Sequence, residues 1–222
     1  MSTPTFRKGL RPGLYAITDS TLLPDDALLP AVEAALRGGA VLVQYREKHL
    51  PRTDRLRQAT RLNERCQAYQ VPLIINDDPE LARACGAAGV HLGQEDGSVA
   101  DARRLLGDDL IIGATCHGRL DLAERARDEG ADYLAFGRFF PSSTKPGAPP
   151  ANPDILRQAA PLGLPRTAIG GVTVDNGEPL IRAGADLLAV VGGLFGGTPE
   201  QVEERARAFT RRFADHHPFF NL

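Results

Sequence analysis

The chain has 222 residues, of which 42% are hydrophobic and 24% are charged, proportions that indicate a globular protein with a substantial core and exclude a disordered chain. Its formal net charge of −2 argues against a nucleic-acid-binding protein, because such proteins present clustered Lys and Arg to the phosphate backbone. No run approaches the ~20 apolar residues of a membrane-spanning helix, and residues 1–11 lack the apolar stretch of a secretion signal, so we expect neither membrane insertion nor secretion.

Eight short apolar runs alternate with amphipathic segments along the whole chain. In chain order the predicted strands are Leu14–Thr18, Val41–Tyr45, Leu73–Ile75, Val90–Leu92, Leu110–Gly113, Tyr133–Phe136, Thr167–Ile169 and Leu187–Val191. The predicted helices are Asp25–Leu36, Thr53–Tyr69, Glu80–Cys85, Val99–Leu106, Leu120–Glu129, Pro153–Ala159, Val174–Ala183 and Pro199–Phe213. A glycine ends the helix at several joints from helix to strand, as in Gly130-Ala131-Asp132-Tyr133 and Gly184-Ala185-Asp186-Leu187.

This alternation predicts an α/β fold, because parallel strands are joined by crossover helices and read as continuous apolar runs when both of their faces are buried. Eight units favour closure into a single parallel (β/α)8 barrel of the TIM type. An open doubly wound sheet is the alternative, but the first turn lacks the G-x-G-x-x-G dinucleotide motif. We therefore predict one domain over residues 1–222, with an N-terminal extension at 1–12 and a C-terminal tail at 215–222. The sequence leaves open whether the chain forms a homo-oligomer.

The three cysteines, Cys66, Cys85 and Cys116, are widely spaced and lie outside any C-x-x-C motif. An odd number of cysteines with this spacing suggests neither a disulfide framework nor a zinc site. We therefore expect a reducing, cytoplasmic location.

The histidines carry no catalytic signature of their own. Cys116 and His117 are adjacent, but neighbouring residues on a strand point to opposite faces, so a structural role is favoured over a catalytic dyad. His91 lies inside an apolar strand and is interpreted as a hydrogen-bonded core residue. His216 and His217 belong to the predicted tail.

The residues after the second strand are unusually polar, at the end of the barrel where active sites lie. Gln44, Arg46 and Lys48 alternate along the strand, so their side chains share one side of it. An amide and two cations in this arrangement predict an anion clamp, in which Arg is suited to bidentate contact. The alternative is a solvent-exposed strand end.

Two neighbouring strands deliver acidic residues to the same rim. The third strand is followed by Asn76-Asp77-Asp78 and the fourth by Gly93-Gln94-Glu95-Asp96, and adjacent strands lie ~4.8 Å apart. Carboxylates this close to the clamp suit Mg2+, which binds one or two carboxylates together with substrate phosphates. Asp78 and Asp96 could instead cap the helices that follow them.

Three later loops predict phosphate binding. The longest, residues 137–147, contains Ser142-Ser143-Thr144-Lys145, whose hydroxyls and cation suit a lid or a phosphate cradle, although an ordinary Ser/Pro/Gly turn has the same composition. The seventh and eighth strands end at Gly170-Gly171 and Gly192-Gly193, where barrels of this class bind phosphate through backbone N–H groups. The chain is thus predicted to be an enzyme that acts on small phosphorylated substrates.

Taken together, these motifs resemble the thiamine phosphate synthase (thiamine-phosphate pyrophosphorylase) family over about Gly13 to Gly197. They are Q-x-R-x-K at 44–48, I-N-D at 75–77, H-L-G-Q-x-D at 91–96, T-K-P-G at 144–147 and the glycine turn at 168–172. The resemblance implies a Mg2+-assisted transferase that joins 4-amino-2-methyl-5-hydroxymethylpyrimidine diphosphate to a thiazole phosphate and releases thiamine phosphate and pyrophosphate.

The resemblance also implies roles for individual residues. The pyrimidine diphosphate would be held by Gln44, Tyr45, Arg46, Glu47, Lys48, Asn76, Thr115 and Lys145, and the thiazole phosphate by Ser142, Ser143, Thr144, Gly171, Val191 and Gly192. Asp77 and Asp96 would bind the metal. Arg46, Lys48 and Lys145 would be the catalytic cations, because they neutralise the leaving diphosphate.

Three residues depart from the common pattern of the family. Thr115 stands where many members have Ser, and Ser142 stands where Thr is usual, and both changes keep a hydroxyl. Gly192 stands where Ser is frequent, so one hydroxyl donor to the thiazole phosphate is absent and a backbone N–H remains.

Two other functions compete with synthesis of thiamine phosphate. Thiazole tautomerases resemble the synthases in fold and bind a thiazole phosphate without joining it to a pyrimidine, so they need no diphosphate clamp. The joint presence of Arg46, Lys48, Asp77, Asp96 and Lys145 favours the synthase. The other alternative is a non-catalytic phosphate-binding barrel, which turnover with both substrates and Mg2+ would exclude.

Overall fold

The computed structural model describes residues 4–141 and 150–220, and it confirms the predicted barrel. Parallel strands close into one sheet in chain order: β1 (Gly13–Ile17), β2 (Leu42–Tyr45), β3 (Leu73–Asn76), β4 (Gly89–Leu92), β5 (Ile111–His117), β6 (Tyr133–Gly137), β7 (Arg166–Ile169) and β8 (Leu187–Val190).

Helices connect the strands and cover the outside of the sheet. They are α1 (Asp25–Arg37), α2 (Arg52–Ala68), α3 (Pro79–Ala84), α4 (Val99–Leu106), α5 (Leu120–Asp128), α6 (Asp154–Gln158), α7 (Glu178–Arg182) and α8 (Pro199–His216). Two short 3₁₀ helices span Ala160–Leu162 and Pro218–Phe220. In the part of the chain that the structure describes, no helix combines the length and the apolar character needed to cross a membrane.

The barrel interior is layered, and its lowest layer is apolar. Leu42, Ile74, Ile111 and Leu187 point inward near the amino ends of their strands and pack in one buried cluster with Leu10 from the N-terminal segment. Alternate residues of the same strands face the helices, so both faces of the sheet are buried. This double burial explains why the strands read as continuous apolar runs.

Two aspartates at equivalent joints anchor the amino end of the barrel. Asp132, just before β6, accepts a hydrogen bond from the backbone N–H of Ile112 on β5 at 2.8 Å and lies 2.6 Å from the guanidinium of Arg103. Asp186, just before β8, accepts from the backbone N–H of Arg166 on β7 at 2.8 Å and lies 3.0 Å from the same residue's guanidinium. Each carboxylate therefore ties the start of its strand to the preceding strand.

The fifth strand is longer than predicted. The sequence predicts Leu110–Gly113, whereas β5 continues to His117, with an irregularity in its pairing to β6 between Thr115 and His117. Because residues 115 and 117 are polar, the apolar run ends before the strand does, and the extension was not predicted. They lie at the mouth of the barrel, where polar side chains meet solvent.

The seventh helix is shorter than predicted. It begins at Glu178 rather than at Val174, because the side chain of Asn176 binds the preceding backbone. Its Oδ1 accepts from the N–H of Thr173 at 2.8 Å, and its Nδ2 donates to the carbonyl of Gly171 at 3.0 Å. Residues 171–176 are therefore held as a loop.

Residues near both ends of the described range, 4–220, contact the barrel. Lys8 lies 2.8 Å from Asp132. At the other end, α8 runs to His216, and His217 is 4% exposed with its Nε2 3.2 Å from Oδ1 of Asp186. The predicted start of the tail at residue 215 thus falls within α8, and His217 lies against a carboxylate of the barrel.

Candidate active site

A cavity of about 370 Å³ opens at the carboxyl ends of the strands, the end at which the sequence predicts the active site. All eight strands, or the loops that follow them, contribute to its wall. Ser142, Ser143, Thr144 and Lys145 lie outside the described residues, and their roles stay predictions. The other predicted residues that line the cavity are Gln44, Arg46, Lys48, Asn76, Asp77, Asp96, Thr115, Gly171, Val191 and Gly192.

The alternation predicted for residues 44–48 is present. Gln44, Arg46 and Lys48 all line the cavity. The backbone N–H of Arg46 donates to Oγ1 of Thr18 at 2.9 Å, which fixes the end of β2 beside the end of β1. Two cations therefore face the cavity from the β2 side.

Arg46 is oriented by an acidic neighbour. Its guanidinium lies 3.4 Å from the carboxylate of Asp19. Burial acts to raise the pKa of Asp19, but hydrogen bonds from Thr21 and the charge of Arg46 outweigh it, so that the pKa is lowered. Asp19 is therefore ionised at neutral pH and holds Arg46 at the rim.

Tyr45 and Glu47, the two residues between the members of the clamp, point away from the cavity. The Tyr45 hydroxyl donates to Oε1 of Gln58 on α2 at 2.6 Å, and the Glu47 carboxylate accepts from the backbone N–H groups of His49 and Leu50 at 2.6 and 3.2 Å. The period of two along an extended chain turns these side chains outward. Their predicted contact with substrate is not supported by these positions.

Asp77 and Asp96 meet at the rim between β3 and β4. Burial and the neighbouring carboxylate of Asp77 raise the pKa of Asp96, and Lys48 Nζ lies 3.0 Å from Oδ2 of Asp77. No group of three or more potential His, Cys, Asp or Glu ligands occurs among residues 4–141 and 150–220. A cation at the Asp77–Asp96 pair would therefore complete its coordination with water and substrate oxygens, as Mg2+ commonly does.

The capping alternative is correct for one acid and wrong for the other. Asp78 caps α3, because its Oδ1 accepts from the backbone N–H of Leu81 at 2.8 Å. The cap of α4 is Ser98, whose Oγ accepts from the N–H of Asp101 at 3.0 Å. Asp96 is thus left to line the cavity rather than to end a helix.

A chain of hydrogen-bonded side chains crosses the barrel interior below the rim. The hydroxyls of Tyr15 and Tyr133 are 2.8 Å apart, and Gln44 Nε2 donates to the Tyr15 hydroxyl at 2.6 Å. His91 places Nδ1 2.9 Å from the Tyr133 hydroxyl and Nε2 3.0 Å from Oγ1 of Thr115. Burial raises the pKa of both tyrosines, which keeps the phenols neutral. His91, interpreted from the sequence as a hydrogen-bonded core residue, is indeed buried and hydrogen-bonded, and it also lines the cavity.

The two glycine turns that line the cavity differ in whether they require glycine. Gly171 has a φ of +64°, and a Cβ there would lie 2.3 Å from the carbonyl oxygen of Pro141 and 2.8 Å from Cβ of Phe140. The close approach of the loop after β6 is therefore sufficient to require glycine at residue 171. At Gly192 the nearest atom to a Cβ would be Leu22 Cδ1 at 4.0 Å. Gly192 thus leaves open space where Gly171 leaves none.

Several cavity residues were missed by the sequence analysis. Most occupy inward-facing strand positions, which are hard to recognise because they alternate with residues of the outer core. Arg138 directly follows β6, inside the loop 137–147 that the sequence analysis singled out, and a cation after a strand end is the signal that could have identified it. The missed residues include Tyr15, Ile17, His117, Arg138, Thr167, Ile169 and Ala189.

The alternation predicted for Cys116 and His117 is also present. His117 lines the cavity, whereas Cys116 is fully buried. Burial raises the pKa of the Cys116 thiol to about 12, so the thiol is not a nucleophile at neutral pH. The two side chains do not form a dyad, as the sequence analysis expected.

Comparison with known proteins agrees with this geometry. A family model described as thiamine monophosphate synthase matches residues 14–194. The chain is 66% identical over 218 residues to a thiamine-phosphate synthase of Marinobacter nauticus, covering 98% of each protein. It superimposes with a TM-score of 0.82 on a thiamine phosphate pyrophosphorylase from Pyrococcus furiosus, at 31% identity, covering 91% of this chain and 96% of the other. A thiamine phosphate pyrophosphorylase from Bacteroides thetaiotaomicron, at 17% identity and a TM-score of 0.65, covering 92% and 100%, shares the fold.

Proposed function

The chain belongs to the thiamine monophosphate synthase family, and from this premise we propose that it joins 4-amino-2-methyl-5-hydroxymethylpyrimidine diphosphate to a thiazole phosphate with Mg2+ as cofactor. Family membership makes it a transferase of thiamine biosynthesis. The observation that supports the reaction most directly is that one cavity is lined by two cations and by two glycine turns, which we assign to two separate anions. Arg46 and Lys48 mark the first, and Gly171 and Gly192 mark the second.

The proposed reaction needs no nucleophilic side chain. The bond between the methylene carbon and the diphosphate oxygen breaks, and its electron pair leaves with pyrophosphate. Electron release from the aminopyrimidine stabilises the positive charge that develops on the methylene. The thiazole nitrogen donates its lone pair to the same carbon, which gives thiamine phosphate. Holding the two substrates in line supplies much of the rate.

The β2 side of the cavity is assigned to the leaving diphosphate. Arg46 and Lys48 neutralise the charge that grows on it as the bond breaks, and we assign Lys145 to the same task. Asp77 and Asp96 suit a hard divalent cation, since such a cation between them would offset the burial and the carboxylate repulsion that raise the pKa of Asp96. When bound there, Mg2+ would supply further neutralisation of the diphosphate.

The opposite side of the cavity is assigned to the thiazole phosphate. Asn176 fixes the loop after β7 through its bonds to Gly171 and Thr173, and Val191 and Gly192 follow β8 beside it. Backbone N–H groups at such turns suit a phosphate. The hydroxyls of residues 142–144 are proposed to complete this site.

A cytoplasmic location is part of the same proposal. Cys66, Cys85 and Cys116 are buried free thiols, and burial raises the pKa of Cys66 to about 12. Buried, unreactive thiols of this kind suit a reducing compartment.

Turnover by the purified protein tests the function. With both substrates and Mg2+, thiamine phosphate and pyrophosphate should form in equal amounts, and an excess of chelator should stop their formation until Mg2+ is restored. A tautomerase would instead convert a thiazole phosphate tautomer on its own. Thiazole isomerisation without any joined product would overturn the proposal in favour of the tautomerase, and binding without turnover would favour a non-catalytic barrel.

A further inference from the structure

The chain of hydrogen bonds inside the barrel has a direction, because each of its members has a fixed number of protons to donate. Gln44 Nε2 donates to the Tyr15 hydroxyl at 2.6 Å. The Tyr15 hydroxyl then has its own single proton to donate onward, and the hydroxyl of Tyr133 lies 2.8 Å from it. Burial raises the pKa of both phenols, so both keep their protons at neutral pH. Tyr15 is therefore assigned as the donor to Tyr133.

The same reasoning assigns the tautomer of His91. The Tyr133 hydroxyl accepts from Tyr15, so its proton is directed to Nδ1 of His91, 2.9 Å away. A neutral imidazole that accepts at one nitrogen donates at the other, and Nε2 of His91 lies 3.0 Å from Oγ1 of Thr115. Thr115 thus accepts a hydrogen bond from the interior of the barrel, and its own hydroxyl proton is left for another acceptor.

The opposite direction would leave the unused proton at the buried end of the chain. If every bond from Thr115 through His91 were reversed, Tyr15 would accept from both Gln44 and Tyr133, and its own proton would be the one left over. Tyr15 and Thr115 both line the cavity, but Tyr15 is 1% exposed whereas Thr115 is half-buried. The direction from Gln44 to Thr115 is favoured because it brings the unused proton to the end that a ligand reaches more readily.

On the basis of the proposed function, we propose that Tyr15, Tyr133 and His91 are positioning residues that hold the Thr115 hydroxyl as a hydrogen-bond donor to the diphosphate of the pyrimidine substrate. Thr115 lies on β5, next to β4, and the loop after β4 carries Asp96 of the acidic pair assigned to the diphosphate's cation. An ionised phosphate oxygen only accepts, and a donor that is fixed in advance needs no reorientation as charge grows on the leaving group. The three inner residues thus affect the reaction through Thr115.

A double-mutant cycle tests whether the chain acts through Thr115. Thr115→Val should lower kcat about ten- to a hundredfold, the cost of one hydrogen bond to a charged group. Tyr133→Phe, which interrupts the chain, should lower kcat about two- to tenfold, and it should cause no further loss in the Thr115→Val background. The KM for the thiazole phosphate should stay unchanged in all three variants. Tyr69→Phe, the matched control, removes a hydroxyl that contacts Glu33 outside the barrel at 3.3 Å and should keep the wild-type kcat.

The tautomer of His91 gives a second test, which needs no turnover. Nuclear magnetic resonance of the imidazole nitrogens should show a proton on Nε2 and none on Nδ1 in the wild-type protein. A proton on Nδ1, alone or together with one on Nε2, would overturn the inference. So would a loss of kcat from Tyr133→Phe that is as large in the Thr115→Val background as in the wild type, because such a loss would show a merely structural role for Tyr133.

Failure of the proposed function is recognised separately. A wild-type protein that forms no thiamine phosphate would reject that function and, with it, the contact between Thr115 and the diphosphate, whereas the tautomer of His91 is measured irrespective of turnover. An unchanged kcat in Thr115→Val, with turnover intact in the wild type, would reject the role of Thr115 alone.

Discussion

The two ends of the barrel differ in how far their carboxylates are compensated by neighbouring charges. At the amino end, Asp186 is 1% exposed and contacts both Arg166 and His217, so its charge is compensated within the protein. At the carboxyl end, burial and the neighbouring carboxylate of Asp77 raise the pKa of Asp96, and the nearby Lys48, which pairs with Asp77, compensates this only in part. Interactions that the protein completes for itself stabilise its fold, and those that it leaves incomplete are available to ligands.

The largest loss of activity is expected from substitutions of Asp77 and Asp96 at the carboxyl end. Asp77→Ala and Asp96→Ala should each abolish turnover, because each removes a proposed metal ligand, while the free energy of unfolding falls by no more than about 1–2 kcal/mol, chiefly in Asp77→Ala, because Asp77 has a φ of +63° that alanine adopts less readily. Turnover assays and denaturant unfolding of both variants would measure the two quantities. Full wild-type activity in excess chelator would refute the metal requirement.

Asp186→Asn should show the reverse pattern at the amino end. Removal of one partner from a buried ion pair costs about 3–5 kcal/mol, since Arg166 is left without its counter-charge. Activity per folded molecule should be retained, because Asp186 lies at the end of the barrel opposite the cavity. Urea unfolding measures the loss of stability.

Asp132→Asn is the matched control for that variant. Asp132 occupies the equivalent joint, but its partners Lys8 and Arg103 are 21% and 16% exposed, so water can replace the lost contacts. We expect a smaller loss of stability than in Asp186→Asn. If the two variants lost the same stability, burial would not explain the role of Asp186.

The next test concerns Lys145, in the loop that follows β6. Lys145→Ala should lower kcat about 10²-fold, a typical result of losing an electrostatic contact to a developing charge, with little change in stability. Kinetics with each substrate varied in turn would measure the effect. A change confined to the KM for the thiazole phosphate would show that Lys145 does not meet the diphosphate.

The smallest effect is expected from filling the open space at Gly192. Gly192→Ser adds a hydroxyl where the nearest atom to a Cβ is 4.0 Å away, and a new hydrogen bond to phosphate is worth about 1.5–3 kcal/mol at most. The KM for the thiazole phosphate should therefore fall, whereas Gly192→Val should raise it by blocking the backbone. If both variants matched the wild type, the assignment of the residues after β8 to the phosphate site would be wrong.

Much of the architecture follows from local sequence signals. Apolar runs, amphipathic segments and glycines at the joints predicted all eight strands and the closed barrel. The alternation at 44–48 also separated the residues that line the cavity from Tyr45 and Glu47, although the resemblance had grouped all five as substrate contacts.

The polar interior could not be predicted in the same way. The contact between Tyr15 and Tyr133 joins residues 118 positions apart, and it depends on the register of several strands. It also depends on Gly113, where a Cβ would lie 2.0 Å from Cζ of Tyr133. The burial of the Thr167 hydroxyl without a hydrogen-bond partner among residues 4–141 and 150–220 is equally hidden, since a threonine on a strand is usually read as a β-former.

The apolar layer at the amino end has a consequence for the order of events in the cavity. Leu10, Leu42, Ile74, Ile111 and Leu187 close the barrel from below, so substrates and products share the opening at the carboxyl end. A molecule bound in the interior must enter before, and leave after, a molecule bound across that opening. For two substrates placed in this way, the order of arrival and departure would follow from the shape of the cavity rather than from their relative affinities.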